Sequence, residues 1–308
     1  MAAPAVFLRE NADMSMLADC LLGLVAVATS ASQPPADSQE GLRALADGEY
    51  EVAVDVFSDI TRLSPEVAAA QFDLGLAFEG LGQPESAVES LRRAVELNNK
   101  VVAYRVELAR LLLDIGQAQE ASAMLHAEDL DSLEADTCSQ VAFLSAQAAT
   151  RIGCANDAVR LLRERLRVDP DNRQLHHALG VALHTLGQRS AALEELARPF
   201  DLDPQSLVYG RAAVHIAFAT ARAARDRDRA GPVYARAGEL AERLVALRPS
   251  FDHLLLAGEA WMEAGQWERA LKWFDVAHEQ QPRGTVALLY LGRCHSARGD
   301  YRHALEEL

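Results

Sequence analysis

Lysine is almost missing from this sequence. Lys100 and Lys272 are the only two, so arginine supplies nearly all of the 30 basic side chains, which stand against 45 acidic ones. The resulting net charge of −15 has the wrong sign for wrapping a phosphate backbone, which argues against nucleic acid as a partner. The preference for arginine, together with abundant alanine, indicates a GC-rich, bacterial genome.

Cysteine is also scarce, and no two cysteines form a CxxC pair. The four are Cys20, Cys138, Cys154 and Cys294. A chain of 308 residues can build a core without disulfide staples. We therefore expect buried or half-buried free thiols and no redox or metal role for them.

The spacings that enzymes require are absent. The sequence has no Walker-type phosphate loop, no GxSxG and no HExxH. The glycines between Gly75 and Gly82 follow no strand, so they do not form a dinucleotide site. His177 and His184 share one helix face but stand about 10 Å apart along its axis, too far to share one ion. We predict no catalytic residue, no metal and no cofactor.

What the sequence does contain is a 34-residue period. Four columns of residues repeat in one register: Gly41, Gly75 and Ala109; Gly48, Gly82 and Gly116; Ala53, Ala87 and Ala121; and Phe57, Leu91 and Leu125. The second column falls where a first helix must end and turn, a position that favours the left-handed backbone of glycine. The period predicts an array of helix pairs.

The clearest unit runs from His253 to Pro282. Small residues at Gly258 and Ala270 permit two helices to approach closely, whereas Trp261 and Trp267 occupy large positions and Trp273 is predicted to face outward. This unit resembles a tetratricopeptide repeat, whose period is also 34 residues. The resemblance covers residues 37–308 and implies an all-α, right-handed superhelical solenoid of about seven and a half helix-turn-helix repeats.

Several units depart from the period. The fourth carries extra residues, which we place in the acidic loop 126–136. In the fifth, Pro199 is expected to kink or shorten the second helix. The sixth, about 205–249, is too long, and we predict a first helix that runs on to Arg222 and then a charged connector over 222–232. The eighth is cut at Leu308, and its uncovered apolar face predicts self-association or a longer native chain.

Residues 1–35 lie outside the repeats, and three interpretations of them remain open. The apolar run 16–31 is too short, and too interrupted by Asp19, to cross a bilayer. It is a helix that caps the first repeat, an export signal with a small-residue site at Ala26–Ala28, or a disordered leader. The first predicts a cytoplasmic protein and the second an exported or periplasmic one.

The resemblance also implies a ligand groove, because first helices line the concave surface in this family. Carried over by register, the candidate peptide-binding residues are Phe72, Asp73, Leu76, Val106, Glu107, Arg110, Phe143, Gln147, Arg151, Gln174, His177, Val181, His184, Asp252, Leu255, Glu259, Met262, Glu263, Tyr290 and Arg293. Glu79 and Asp114 occupy equivalent positions. Carboxylates outnumber arginines, which predicts a neutral or basic ligand. Arg110 has an alternative role, pairing with Glu107 and Asp114 on its own helix.

At the level of function, the sequence predicts a non-catalytic scaffold or adaptor that binds another protein. Family members that capture chaperone tails use a Lys/Asn/Arg clamp. This sequence has Phe72, Leu76 and Glu107 at those positions, which disfavours that role. Two alternatives remain: the substrate-recognition arm of an enzyme, such as a transferase, whose catalytic domain lies beyond Leu308, and a cell-envelope assembly factor.

Overall fold

The computed structural model describes residues 38–125, 134–224 and 227–306, and every regular element in them is an α-helix. The chain divides into two compact units between Cys154 and Ala155. The predicted N-terminal leader lies outside the described residues, as does most of the acidic loop 126–136. Within the described ranges the all-α prediction is confirmed, and none of the helices has an apolar stretch long enough to span a bilayer.

The first unit contains seven described helices, and most neighbours in sequence pack against each other. They are α1 (Ser38–Asp47), α2 (Tyr50–Leu63), α3 (Ala68–Gly80), α4 (Pro84–Leu97), α5 (Val102–Asp114), α6 (Ala118–Met124) and α7 (Ala135–Arg151). Pro84 stands at the start of α4, where its missing N–H has no intrahelical partner to lose. The largest core cluster of this unit contains Phe72, Leu91, Leu108 and Leu112.

The second unit contains nine described helices. They are α8 (Ala155–Leu166), α9 (Arg173–Thr185), α10 (Arg189–Leu202), α11 (Leu207–Ala223), α12 (Arg227–Leu247), α13 (Phe251–Glu263), α14 (Trp267–Gln280), α15 (Thr285–Ala297) and α16 (Tyr301–Glu306). Asn172 caps α9, because its side chain accepts hydrogen bonds from the backbone N–H groups of Gln174 and Leu175. The core of this unit includes Phe200, Leu240 and Trp261.

The turn glycines adopt the backbone that their spacing predicts. Seven of them have φ between 70° and 92°: Gly48, Gly82, Gly116, Gly153, Gly187, Gly265 and Gly299. After α3, the Gly82 N–H donates to the Glu79 carbonyl at 2.8 Å, and the Gln83 N–H donates to the Phe78 carbonyl at 2.9 Å. These bonds satisfy the last carbonyls of the helix in the manner of a left-handed C-cap. The prediction from the 34-residue period is confirmed.

Close helix approach is equally visible at the packing glycines. A Cβ added to Gly258 would lie 2.5 Å from Phe274 Cε1, and one added to Gly75 would lie 2.8 Å from Leu91 Cγ. Phe274, Leu91 and the partner position Ala270 are fully buried. The small and large columns of the sequence therefore interlock, because the large side chain of one helix fills the space that the glycine of the other leaves.

Gly258→Ala should destabilise the second unit by up to about 2 kcal/mol. The added methyl overpacks the Phe274 site, and overpacking of this kind costs roughly 1–3 kcal/mol against a propensity gain of about 1. Gly231→Ala is the matched control, because no atom beyond its chain neighbours and its own helix backbone lies near that position, and it should change the stability by at most about 1 kcal/mol. Urea unfolding followed by tryptophan fluorescence measures both, since all three tryptophans lie between 261 and 273. Equal shifts for the two variants would contradict the close-packing argument.

Two predicted irregularities differ in the structure. Pro199 does not shorten α10, which has 14 residues like α4 and α14. Its ring is buried in the packed helix, and this burial offsets the backbone hydrogen bond that proline cannot donate. The charged connector after Arg222 is also shorter than predicted, because α12 begins at Arg227 and includes Pro232. Burial of the α12 face at Ala230 and Tyr234 offsets the missing backbone bond.

Trp273 and Cys154 are also corrected. Trp273 is half-buried and packs inward: its Nε1–H donates to Glu242 Oε1 at 3.0 Å, and the Trp261 Nε1–H donates to the same oxygen at 2.8 Å. Cys154 is exposed beside its turn glycine, whereas Cys138 and Cys294 are buried free thiols. Burial raises the pKa of Cys294 to about 11, which keeps that thiol protonated and unreactive at neutral pH.

Candidate binding groove

The predicted groove residues all lie on first helices of the repeats. In the first unit they lie on α3, α5 and α7, and in the second unit on α9, α13 and α15. The structure assigns them three different roles. Some form the packed core, some form ion pairs, and the others are half-buried or exposed.

Five predicted contact residues are buried, which corrects their assignment to the ligand surface. Phe72 and Val106 are 1% exposed, Glu107 and Met262 4%, and Leu76 6%. Phe72 packs on Tyr104 with the ring centroids 4.8 Å apart. The four apolar residues, Phe72, Leu76, Val106 and Met262, pack against neighbouring helices. Burial there removes more of their nonpolar surface from water than a position in the groove would. Glu107 is buried for a different reason, its pairing with Arg110.

Arg110 lies at the centre of a four-residue ion cluster. Its guanidinium donates to Glu107 on its own helix, to Glu79 of α3 at 2.5 Å and to Asp114 at 3.1 Å. Burial raises the pKa of Glu107, and Arg110 opposes that rise. The alternative predicted for Arg110, pairing within its helix, is thus observed, and the bridge to Glu79 additionally ties α3 to α5. The cluster holds three carboxylates and one guanidinium.

Asp73 is the unusual member of the set. Its side chain is half-buried on α3, and among the described residues its carboxyl group forms no hydrogen bond and no ion pair. Burial alone raises its pKa from 3.8 to about 7. It lies near Tyr104 of α5, whose pKa is raised by burial and then by the Asp73 charge. An unpaired, desolvated carboxyl lowers the stability of the folded chain, and groups of this kind are typical of binding sites.

The α7 members of the set lie at the surface of the first unit. Phe143 and Gln147 are half-buried, and Arg151 is exposed. The Arg151 guanidinium donates to the Leu113 carbonyl near the end of α5. This charge is therefore held at the end of α5, close enough to lower the pKa of Asp114, although burial raises that pKa more strongly.

On α9, in the second unit, the two candidate histidines differ in environment. His177 is half-buried near Tyr209, with ring centroids 6.0 Å apart, and burial lowers its pKa to about 4. His184 is exposed. Gln174 and Val181 lie half-buried on the same helix. His177 is thus neutral at physiological pH, which suits an uncharged or apolar neighbour.

The α13 and α15 members form ion pairs and ring contacts. Glu259 pairs with Arg222 of α11 at 3.4 Å, and Glu263 pairs with Arg293 at 3.9 Å. Tyr290 stacks on Phe274 at a centroid distance of 4.8 Å. Leu255 is half-buried and Asp252 exposed. The two glutamates are therefore already partnered by arginines.

One group of potential metal ligands was not predicted from the sequence. His295 of α15, Asp300 and His303 of α16 each place one ligand atom within 4.8 Å of the other two. The signal was present as two histidines and an aspartate around the turn at Gly299. A search for helical HExxH spacing cannot find this pattern, because its three members lie on two helices and the turn between them.

Comparison with known proteins adds to the geometry. The sequence model of the tetratricopeptide repeat matches residues 38–102 and 220–285. No protein of curated function matches the chain in sequence. Among solved structures, a tetratricopeptide repeat protein from Parabacteroides merdae ATCC 43184 is similar at a TM-score of 0.56 and 14% identity, over 83% of this chain and 96% of that one.

Two weaker likenesses have TM-scores below 0.5 and have no bearing on what this chain binds. The human IFIT1 dimer with PPP-AAAA is 18% identical, with a TM-score of 0.48 over 88% of this chain and 70% of that one. MamA from Desulfovibrio magneticus RS-1 is 21% identical, with a TM-score of 0.38 over 53% of this chain and 86% of that one.

The two matched segments lie in different units of the fold, and the helix pairs, turn glycines and interlocking small and large columns continue between them. These observations identify residues 38–102 and 220–285 as tetratricopeptide repeats, and the chain shares its helical-repeat fold with the Parabacteroides protein.

Proposed function

We propose that this protein is a non-catalytic adaptor that binds a segment of another protein along the first helices of its first unit. Tetratricopeptide repeat proteins generally mediate protein–protein interactions. The bound segment is neutral or basic, and it places a lysine or arginine side chain against Asp73. The observation that carries this proposal is the unpaired carboxyl of Asp73 beside the buried Phe72–Tyr104 ring pair.

The folding cost of Asp73 supports the proposal. A desolvated carboxyl without a partner destabilises the folded chain unless a cation or a hydrogen-bond donor approaches it. A basic side chain of a ligand would supply both, because lysine and arginine donate only and carry positive charge. The interaction would then be stronger than at a fully exposed carboxylate, since the site already excludes much of the water.

The surrounding charge favours the same kind of ligand. Asp73, Glu79, Glu107 and Asp114 bring four carboxyl groups to α3 and α5, and Arg110 is fully engaged by three of them. The positive charge of Arg110 is thus unavailable to an acidic ligand. A basic segment would approach a surface whose field attracts it, which raises the rate of association.

The second unit is a weaker candidate for a charged contact. Charge reversal at Asp73, Glu259 and Glu263 should weaken binding and its salt dependence if all three meet the ligand. Glu259 and Glu263 already pair with Arg222 and Arg293, so a ligand would first have to displace those arginines. Asp73 is therefore the position at which a single substitution tests the proposal.

Selection from a displayed random peptide library, with the full chain as bait, is the experiment. The wild-type chain should enrich peptides that contain lysine or arginine flanked by apolar residues. Asp73→Asn should reduce that basic enrichment by about tenfold, as loss of one charge-assisted contact of roughly 1.5 kcal/mol implies. Asp55→Asn is the matched control, because Asp55 is an exposed aspartate on the second helix α2.

Two outcomes would overturn the proposal. One is enrichment of acidic peptides by the wild-type chain. The other is an unchanged basic preference in Asp73→Asn. Synthesis of the enriched peptides and titration calorimetry at two salt concentrations would then measure the affinity directly, and the wild-type affinity should fall as salt rises.

The remaining sequence predictions stay proposals. No feature of the described residues favours the enzyme-arm or envelope-factor alternative, or separates a cytoplasmic from an exported protein. Self-association through the eighth repeat is supported by three exposed side chains: Val286 is 45% exposed, Leu289 51% and Tyr301 67%. Sedimentation velocity over a range of protein concentrations measures it, and a constant monomer mass would contradict it.

A further inference from the structure

We propose that His295, Asp300 and His303 form a binding site for a divalent transition-metal ion of the zinc class. The three residues surround the turn between α15 and α16, at the far end of the second unit from α8. Imidazole nitrogens together with a carboxylate oxygen form a donor set that suits zinc and its neighbours in the first transition row.

The distances fit such an ion after small side-chain rotations. Asp300 Oδ2 lies 2.7 Å from His303 Nδ1 and 3.9 Å from His295 Nδ1, and the three donor atoms are all within 4.8 Å of one another. Ligand bonds of about 2.0–2.2 Å in tetrahedral geometry place neighbouring donors roughly 3.4 Å apart. The distances of 2.7 Å and 3.9 Å lie on either side of that value, and the distance between the two histidine nitrogens is at most 4.8 Å, so small rotations of the side chains bring the three donors around one ion.

His295 supplies a second, independent observation. Its Nδ1 atom is buried and has no hydrogen-bond partner. A buried ring nitrogen without a partner is costly in a folded protein and calls for an explanation such as an ion. The nitrogen faces the Asp300 carboxylate across 3.9 Å, too far for a hydrogen bond but suitable for two ligands of one metal.

The backbone holds the three donors in place. Asp300 stands before α16, and its Oδ1 accepts a hydrogen bond from the His303 N–H at 3.4 Å, which leaves Oδ2 directed at the two rings. The imidazoles of His295 and His303 stack with their centroids 5.4 Å apart. Gly299, at φ 79°, produces the tight turn that brings α16 back over α15. The site is thus built by the same turn glycine that builds the repeat.

The arrangement leaves coordination positions open. Three protein ligands are one fewer than a closed structural zinc site uses, so the fourth position would take water or a group of a partner protein. His303 is exposed and Asp300 half-buried, which keeps that position accessible from solvent. The site lies far from Asp73 in sequence and in a different unit, so its test is independent of the peptide-binding proposal.

Zinc titration of the full, tag-free chain after dialysis against a chelator tests the site. Calorimetry should give one equivalent of bound zinc, and cobalt in its place should show the visible absorption of a low-symmetry N/O site. His303→Ala should weaken zinc binding by more than about 100-fold, beyond the 10–100-fold typical of losing an outer-shell partner. Asp300→Asn retains a helix-capping side chain but loses the charge, and it should weaken binding similarly.

His184→Ala is the matched control, because His184 is an exposed histidine on α9, and it should bind zinc like the wild type. Circular dichroism of the metal-free variants checks that all four chains are equally helical. Binding of less than half an equivalent by the wild-type chain would overturn the proposal. Equal affinity of His303→Ala and the wild type would overturn it as well.

Discussion

Arg110→Met should destabilise the first unit by about 3–5 kcal/mol at neutral pH. Removal of one partner from a buried ion pair leaves the other charge uncompensated, and Glu107 is only 4% exposed. Glu79 loses its partner as well, and with it the link between α3 and α5. Urea unfolding by circular dichroism measures the loss, and hydrogen exchange of the α5 amides locates it.

The loss of unfolding free energy in Arg110→Met should become smaller as the pH falls. Without the arginine, burial raises the pKa of Glu107 unopposed, so the folded chain takes up a proton that the unfolded chain releases. A carboxyl with a raised folded pKa destabilises the fold above that pKa and ceases to do so below its unfolded value. Adding Glu107→Gln to Arg110→Met should therefore recover part of the lost stability at neutral pH.

A matched exposed arginine provides the control. Arg93 pairs with Glu96 at 3.0 Å on the surface of α4, where the two side chains are 51% and 64% exposed. Arg93→Met should cost at most about 1 kcal/mol, since exposed ion pairs contribute little. If Arg110→Met proved as mild as Arg93→Met, the cluster would have no structural role.

Asp73→Asn should make the chain more stable at pH 8 by about 4 kcal/mol while leaving its stability near pH 3 almost unchanged. Burial raises the pKa of Asp73 from 3.8 to about 7. Each pKa unit corresponds to about 1.4 kcal/mol, which gives the expected size. Since the folded pKa lies above the unfolded one, the wild-type chain loses stability as the pH rises between these two values, and asparagine removes that loss.

Measuring the wild type and the variant in parallel separates the contribution of Asp73 from that of the other titratable groups. Asp55→Asn serves again as the control and should show no pH-dependent difference from the wild type. An Asp73→Asn variant that is no more stable than wild type at pH 8 would mean that the carboxyl is solvated or partnered in solution. If Asp73→Asn is more stable, the aspartate lowers the stability of the wild-type chain, which is expected of a residue that serves binding and not folding.

The variants of Arg110 and Asp73 test two kinds of charged group on α3 and α5, a paired cluster and an unpaired carboxyl. Arg110 and its three carboxylates satisfy one another, so they contribute structure and leave a negative surplus. The Asp73 carboxyl has no hydrogen-bond or ion-pair partner among the described residues, so it destabilises the folded chain. A basic ligand would remove this cost. The contrast explains why Asp73 and not the larger cluster carries the proposed contact.

Helix packing followed almost entirely from the periodic sequence. Gly258 and Ala270 predicted the close approach that Phe274 fills, and the spacing of Gly48, Gly82 and Gly116 predicted their positive φ. The lengths of the helices around Pro199 and Pro232 were misjudged, because local rules treat proline as a residue that ends a helix. In the folded chain, burial of the α12 face and of Pro199 offsets the loss of single backbone hydrogen bonds.

The surface was less predictable than the core. Register placed Phe72, Val106 and Met262 on the ligand side, yet neighbouring helices bury all three. Trp273 was predicted to face outward, but Glu242 of α12 offers an acceptor that its indole reaches. Which flank of a helix a neighbour covers depends on the angle and distance between the helices, and the period of a single sequence does not encode either.

The sequence by itself determined the repeat, the helix pairs, the turn glycines and the acidic character of the first helices, because these depend on spacing along the chain and on composition. Only the tertiary structure decided that Arg110 also bridges to Glu79, that Asp73 is unpaired among the described residues, and that His295 meets Asp300 and His303. Each of these facts concerns the distance between side chains on different helices or across a turn. Pairing and desolvation are set by such distances, and they exist only once the helices have packed.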